Sequence, residues 1–237
     1  GRFRIGKYQD QEGDFIGRHL KMTDDRITVD QTKYIEEQVH PIPLAKGRRM
    51  DPKAELREEE FVALRSGIYK LSWLGQQTRP EQAGVSSILS SRLPRATVQE
   101  VIEFNKAVQL LKDTAARKMI VWKLDPSRIS FASCTDAGGV AGKDRGLVAE
   151  DGLVDDGTQL ASMVLACDRA WSPQERRRCT ALAWRSAKPK RRVPSTLSGE
   201  TQALSLGVAE VEYIQILFRD AVFNDVQRED WRSAVLP

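Results

Sequence analysis

The spacing of apolar residues changes character once along this 237-residue chain, after Lys118, and that change limits the architectures open to it. Before it, Phe61, Leu64, Ile68, Leu71 and Leu74 recur every three or four positions from Glu58 until Thr78-Arg79-Pro80 interrupts, so one long amphipathic helix is predicted. Thr97-Val98-Gln99-Glu100 has the spacing of a capping box, and Val101, Phe104, Val108 and Leu111 supply the apolar face of a second helix ending near Lys118. From residue 119 the period shortens. Residues 119–124, 128–134, 160–167 and 180–187 are short β-type runs, parted by loops of glycine, proline or charge, and the Gly- and Asp-rich segment 138–157 joins two of them. Ser195 and Thr196 can then cap a long helix with Ala203, Leu204, Gly207, Val211, Ile214 and Phe218 on one face. The expected fold is α/β, α+β overall. Residues 1–125 form a largely helical domain and residues 126–237 a strand-strand-strand-helix module.

The opening of the chain reads differently from the helices that follow it. Apolar runs at 3–5 and 15–20, separated by Asp10, Gly13 and Asp14, suggest a hairpin with a long loop. Asp30 precedes Gln31-Thr32-Lys33-Tyr34-Ile35-Glu36-Glu37-Gln38-Val39, and Pro41 and Pro43 follow, which predicts a short capped helix. The basic stretch 46–53 is expected to be loop.

Composition sets weaker bounds. With 41% apolar and 30% charged residues the chain falls near the globular average, so neither disorder nor a fibrous architecture is indicated. Lysine and arginine exceed aspartate and glutamate by 37 to 33, and the pI near 9.0 permits an anionic partner without demanding one. Cys134, Cys167 and Cys179 are odd in number and unrelated in spacing, with only His19 and His40 beside them. Neither a disulfide framework nor a zinc site is suggested, and a reducing intracellular compartment, cytoplasmic or nuclear, fits this usage. No apolar run approaches the roughly 18 residues of a membrane span, so no membrane partner is expected.

Two carboxylates stand where chemistry could sit. Asp136 follows the apolar run Ile129-Ser130-Phe131-Ala132-Ser133-Cys134, so it should emerge at a strand end beside Gly138 and Gly139. Glu200 falls in the first turn of the last helix, in line with Leu204, Gly207 and Val211, and should turn toward the sheet. Converging carboxylates are what magnesium or manganese requires, because oxygen ligands offset the charge of a hard cation. Two such ions can activate water and stabilise the leaving oxygen in phosphodiester cleavage. The plainer alternative is an aspartate serving a turn and a glutamate serving a helix dipole.

At these residues the sequence resembles a known family. Thr135-Asp136-Ala137, then Trp184-Arg185-Ser186-Ala187-Lys188, then Ser195-Thr196-Leu197-Ser198-Gly199-Glu200-Thr201 resemble the ribonuclease H region of copia-type retrotransposon polyproteins. Upstream, Phe15-Ile16-Gly17, Gln31-Thr32-Lys33-Tyr34-Ile35, Glu60, Leu64-Arg65, Gly67, Trp73-Leu74, Thr78-Arg79-Pro80 and Asn105-Lys106 look like the end of that family's reverse transcriptase and its connecting region. The resemblance implies a hairpin and a helical thumb- or connection-like segment followed by a truncated ribonuclease H-like domain, an incomplete mixed sheet with a long helix. It further implies that Asp136 and Glu200 are the first two catalytic carboxylates. Both would bind Mg2+ or Mn2+ for hydrolysis of RNA paired to DNA, with an RNA–DNA hybrid and the remainder of the polyprotein as partners.

The departures from the family pattern carry information too. Its Arg-Pro-Asp stands here as Arg79-Pro80-Glu81, its Thr-Asp-Ala-Ser as Thr135-Asp136-Ala137-Gly138, and its Gln-Gly-Gly strand start as Gln159-Leu160-Ala161, which suggests relaxed constraint. The family's third carboxylate lies on a strand after the long helix, and Asp220, Asp225 and Asp230 follow that helix too closely to match it. The expectation is therefore a fragment inactive by itself. Lys188, Lys190, Arg191 and Arg192, in the loop before the last helix, are candidates for phosphate contact, and Arg176-Arg177-Arg178 forms a second basic cluster. A non-catalytic nucleic-acid-binding module and an inactive remnant mediating protein contacts are the competing classes.

Overall fold

The computed structural model describes residues 11–138, 158–168, 177–189, 193 and 195–223. The chain divides into two compact units, Gly1–Lys123 and Leu124–Pro237. Helices combine with antiparallel sheet in each, and no described helix is long and apolar enough to cross a membrane.

In the first unit, β1 (Glu12–Phe15), β2 (Arg18–Met22), β3 (Arg26–Asp30) and β4 (Met119–Trp122) form an antiparallel sheet in that order. The β1–β2 hairpin turns on Ile16 and Gly17, whose φ of 48° and 67° are the left-handed pair a type I′ turn needs. The expected long loop through Gly13 and Asp14 is thus strand, paired with Leu20 and His19, while residues 3–5 lie outside the described set. A two-residue turn matches the twist of the flanking strands, whereas a longer loop would not be needed to reverse them. The period of β4 matches that of the later strands, but, inside the expected 1–125 domain, it closes on β3, with Ile27 opposite Val121, because its own apolar side chains complete the first sheet.

The helices α1 (Thr32–Gln38), α2 (Lys46–Arg49), α3 (Glu58–Gln77), α4 (Glu81–Arg92) and α5 (Val98–Asp113) supply the core. Leu64, Ile68, Leu71 and Leu74 on α3 meet Val101, Phe104, Val108 and Leu111 on α5, with Ile35, Val39 and Leu89 closing the cluster. Each is buried to 2% exposure or less, a contribution of about 1.5–3 kcal/mol per side chain in area terms. Glu100 accepts from both the backbone N–H and the hydroxyl of Thr97, at 2.8 Å each, so the capping box is present. α5 ends at Asp113, short of the expected Lys118. α4 was not foreseen, since Glu81-Gln82-Ala83-Gly84-Val85-Ser86-Ser87 has little apolar period. Its helix forms because Gln82, Ser86 and Leu89 pack inward. The basic stretch read as loop contains the single turn α2.

Polar groups tie these helices together. Arg79, 2% exposed, donates from Nε to Glu81 Oε1 at 2.6 Å, from Nη1 to the Thr114 carbonyl at 3.1 Å and from Nη2 to Thr114 Oγ1 at 2.6 Å. The junction of α3 and α4 is thereby bolted to the end of α5. Asn105 on α5 holds the proline-bearing segment, accepting from the N–H of Ile42 at 2.7 Å and donating to its carbonyl at 2.8 Å. Asp30, one residue before the N-cap Gln31 of α1, accepts from the Thr32 N–H at 3.2 Å, and Lys118 Nζ lies 3.2 Å from its other oxygen.

In the second unit, β5 (Ile129–Gly138), β6 (Gln159–Asp168) and β7 (Cys179–Ala187) pair antiparallel in chain order, and α6 (Thr196–Phe223) packs on β5 and β6. The described strands hold no parallel pair, where the resemblance implied a mixed sheet. Strands following one another as neighbours reverse direction each time, and parallel pairing needs a crossover. The segment read as a Gly-rich connection, residues 139–157, lies outside the described set.

Two outcomes follow for the first unit. Arg79→Ala should lower unfolding free energy by about 3 kcal/mol in urea titrations, because Thr114 and Glu81 lose a desolvated charged partner. Burial by itself raises the Asp30 carboxyl, but the Thr32 N–H and the Lys118 ammonium outweigh it and hold the group below the usual aspartate value. A depressed folded value makes this stabilisation fully present above about pH 4 and lost as pH falls through the folded value. Asp30→Asn should therefore flatten the acid limb of a Tm-against-pH profile, and an unchanged limb would remove Asp30 from the cause.

Candidate functional site

Strand alternation decides where the side chains of β5 go. Phe131 meets Phe218 of α6 edge-on with ring centroids 5.3 Å apart. Beyond it, Ser133 and Thr135 lie under Gly207, and Ala137 lies under Gly199. The odd-numbered residues therefore face the helix. Asp136, exposed and paired in register with Ala161, points to the opposite face of the sheet.

α6 seats on the sheet through part of its expected face, Ala203, Gly207 and Phe218, and leaves Leu204 of that face outside. Gly199, Ala203, Gly207, Glu210 and Phe218 face the sheet, while Leu204 is 57% exposed and Glu200 is exposed on the flank. The expected convergence of Asp136 and Glu200 is not found: one carboxylate leaves the far face of the sheet, the other the exposed flank of the helix. The cause is close approach. A Cβ on Gly207 would lie 2.6 Å from Ser133 Oγ and closer still to Thr135 Cγ2, and one on Gly199 would meet Ala137 Cβ and Val193 Cγ1 at 3.2 Å. Glycine lets the helix backbone sit on the strand, and the helix rotates until its smallest residues are underneath.

The carboxylate that α6 does deliver to the sheet is Glu210, which accepts from Ser162 Oγ at 2.6 Å. Ser162 stands opposite Thr135 in the register and is 4% exposed. Glu210 falls three residues after Gly207, a spacing that would have found it had the stripe been centred on the glycines. Asp136, Glu200 and Glu210 do not form a common ligand set, and among the described residues no group of three His, Cys, Asp or Glu side chains could hold a metal ion. Among the described residues, Asp136 and Glu200 do not fit a two-ion centre.

A second feature lies where β7 ends beside α6. An open groove of about 560 Å3 is lined by Leu160, Arg185, Lys188, Gln202, Ser205 and Leu206 among others, and among the described residues none of its lining is a carboxylate. Arg185 shares the helix-side face because it pairs with Ser162. Of the basic residues read as phosphate contacts, Lys188 lines this groove; Lys190, Arg191 and Arg192 lie outside the described residues. Arg185 was visible in the sequence only as part of the Trp184-Arg185-Ser186-Ala187-Lys188 motif. Its place at the groove comes from the pairing of β7.

Compared with known protein families and with curated proteins, the chain matches none.

Gly207→Val should unseat α6, since the new side chain meets Ser133 and Thr135 and overpacking costs about 1–3 kcal/mol. Amide hydrogen exchange should show protection falling across β5, β6 and α6 while α3 and α5 keep theirs. Equal protection in the variant would mean the helix does not rest on this contact.

Proposed function

We propose that the chain derives from the reverse transcriptase and ribonuclease H region of a copia-type retrotransposon polyprotein, and that it retains contact with nucleic acid without hydrolysing it. The order of some six motifs carries the descent. A meander of three strands followed by a long helix, which is the order the ribonuclease H resemblance implies, supports it.

The family activity is magnesium-dependent hydrolysis of RNA in RNA–DNA hybrids. Asp136 and Glu200 occupy the motif positions of its first two carboxylates, but Asp136 leaves the sheet face away from α6 while Glu200 leaves the helix flank, and carboxylates that do not converge cannot hold the ions that stabilise both the attacking and the leaving oxygen. What favours binding is the groove at the end of β7, where Arg185 and Lys188 lie with the amide of Gln202 and the hydroxyl of Ser205 and none of the described lining residues is a carboxylate. An inactive remnant that mediates protein contacts is the remaining class, and the same experiment separates it.

The test uses a labelled RNA–DNA hybrid with magnesium or manganese. No cleavage is expected from the folded chain, and anisotropy should show binding that weakens with salt. Arg185→Ala with Lys188→Ala should reduce the slope of log affinity against log salt by about 2, roughly one phosphate per cation. Metal-dependent cutting lost in both Asp136→Asn and Glu200→Gln would overturn the non-catalytic reading, and absence of salt-dependent binding would overturn the binding one.

A further inference from the structure

On the face of the second sheet opposite α6, Cys167 of β6 stands directly across from Cys179 of β7, and their sulfurs lie 3.1 Å apart. Both are free thiols, Cys167 3% exposed and Cys179 partly exposed. Antiparallel partners have Cα atoms about 4.5–5.5 Å apart, within the roughly 4.4–6.8 Å that a disulfide spans. The two sulfurs can therefore bond with little movement of backbone. Cys134 shares this face but pairs in register with Met163, while Cys167 faces Ser130 on that side. No cysteine stands opposite Cys134.

We propose that Cys167 and Cys179 form an oxidisable dithiol that takes an anionic low-molecular-weight disulfide as its co-reactant. The reagent class follows from the surroundings. Cys179, the more accessible sulfur, is preceded directly by exposed Arg177 and Arg178, and Cys179 Sγ lies 3.8 Å from the Arg177 carbonyl oxygen. Two cationic residues next to the entry thiol in the chain favour a disulfide bearing carboxylates over a neutral or cationic one. In the first step the Cys179 thiolate attacks one sulfur of the reagent, its S–S bond breaks, and one thiol leaves after taking a proton from solvent. Cys167 then gives its proton to solvent and attacks Cys179 Sγ, breaking the mixed disulfide and releasing the second thiol. Two protein thiols are oxidised and one disulfide is reduced to two thiols.

The closing step has a built-in brake. Burial, then the hydrogen bond and charge of Cys179, then the charge of Cys134, push the Cys167 thiol up to about 12. Only a small fraction is thiolate near neutrality, so ring closure should accelerate about tenfold per pH unit through the neutral range.

The experiment treats the full folded chain with glutathione disulfide, quenches with an alkylating reagent and maps the peptides by mass spectrometry at pH 7 and pH 8. The expected product is a Cys167–Cys179 cross-link with Cys134 alkylated, formed about tenfold faster at the higher pH and several-fold faster than with cystamine, a cationic disulfide. Cys134→Ser should cross-link as the parent does. Cys179→Ala, checked by circular dichroism for retained fold, should give none. A bond involving Cys134, a lasting glutathione adduct at Cys179 without closure, or three alkylated thiols after treatment would each overturn the assignment. Closure by cystamine as fast as by glutathione disulfide would overturn the anionic class of the reagent.

Discussion

Helix α6 can rest on the second sheet because Gly199 and Gly207 place nothing but backbone at the contact, and the other features of that unit follow from this seating. Once the glycines are underneath, Ala203 is fully buried, Glu210 is brought to Ser162, and Phe218 reaches Phe131. Leu204 is left in solvent, which would be an odd outcome if apolar area alone chose the interface. Closeness wins because a helix resting on small residues gains dispersion contacts along its whole length, whereas a single leucine recovers only its own area.

The same seating separates the two carboxylates that the motifs mark. Alternation along β5 is strict across ten register pairs with β6 and tolerates no slip without turning every inward residue outward. Asp136 is therefore committed to one face as soon as Thr135 and Ala137 are committed to the other. Glu200 is displaced by its neighbour, since Gly199 takes the inward position and successive residues on a helix are about 100° apart. What the described residues place on the helix side is a groove lined by cations and neutral donors.

The first unit depends on a different kind of constraint. Its apolar core is ordinary in composition, but the ends of its helices meet at buried polar groups: Arg79 against Thr114, Asn105 against Ile42, Thr78 against Gln31 at 2.8 Å. Directional bonds of this kind select one arrangement of helices over others of similar apolar burial. Arg79 and Asn105 both belong to the motifs of the family resemblance, so the residues that mark that resemblance here hold packing together rather than face a substrate.

Much of the secondary structure was legible from period and capping alone. The stripe Leu64-Ile68-Leu71-Leu74, the Thr97–Glu100 box and the three β-type runs at β5, β6 and β7 report local physics that a sequence carries in full. Helix α4 was not legible, because serine and glutamine give it no apolar period until other helices surround it. The hairpin turn was misplaced because Ile16 is not a residue that advertises a left-handed turn. Facing relations were beyond the sequence altogether. The membership of β4 in the first sheet, the rotation of α6 onto its glycines, the separation of Asp136 from Glu200 and the meeting of Cys167 with Cys179 each depend on which strand or helix lies alongside. Spacing along one segment determines what that segment becomes; only packing between segments determines which of its sides is inside.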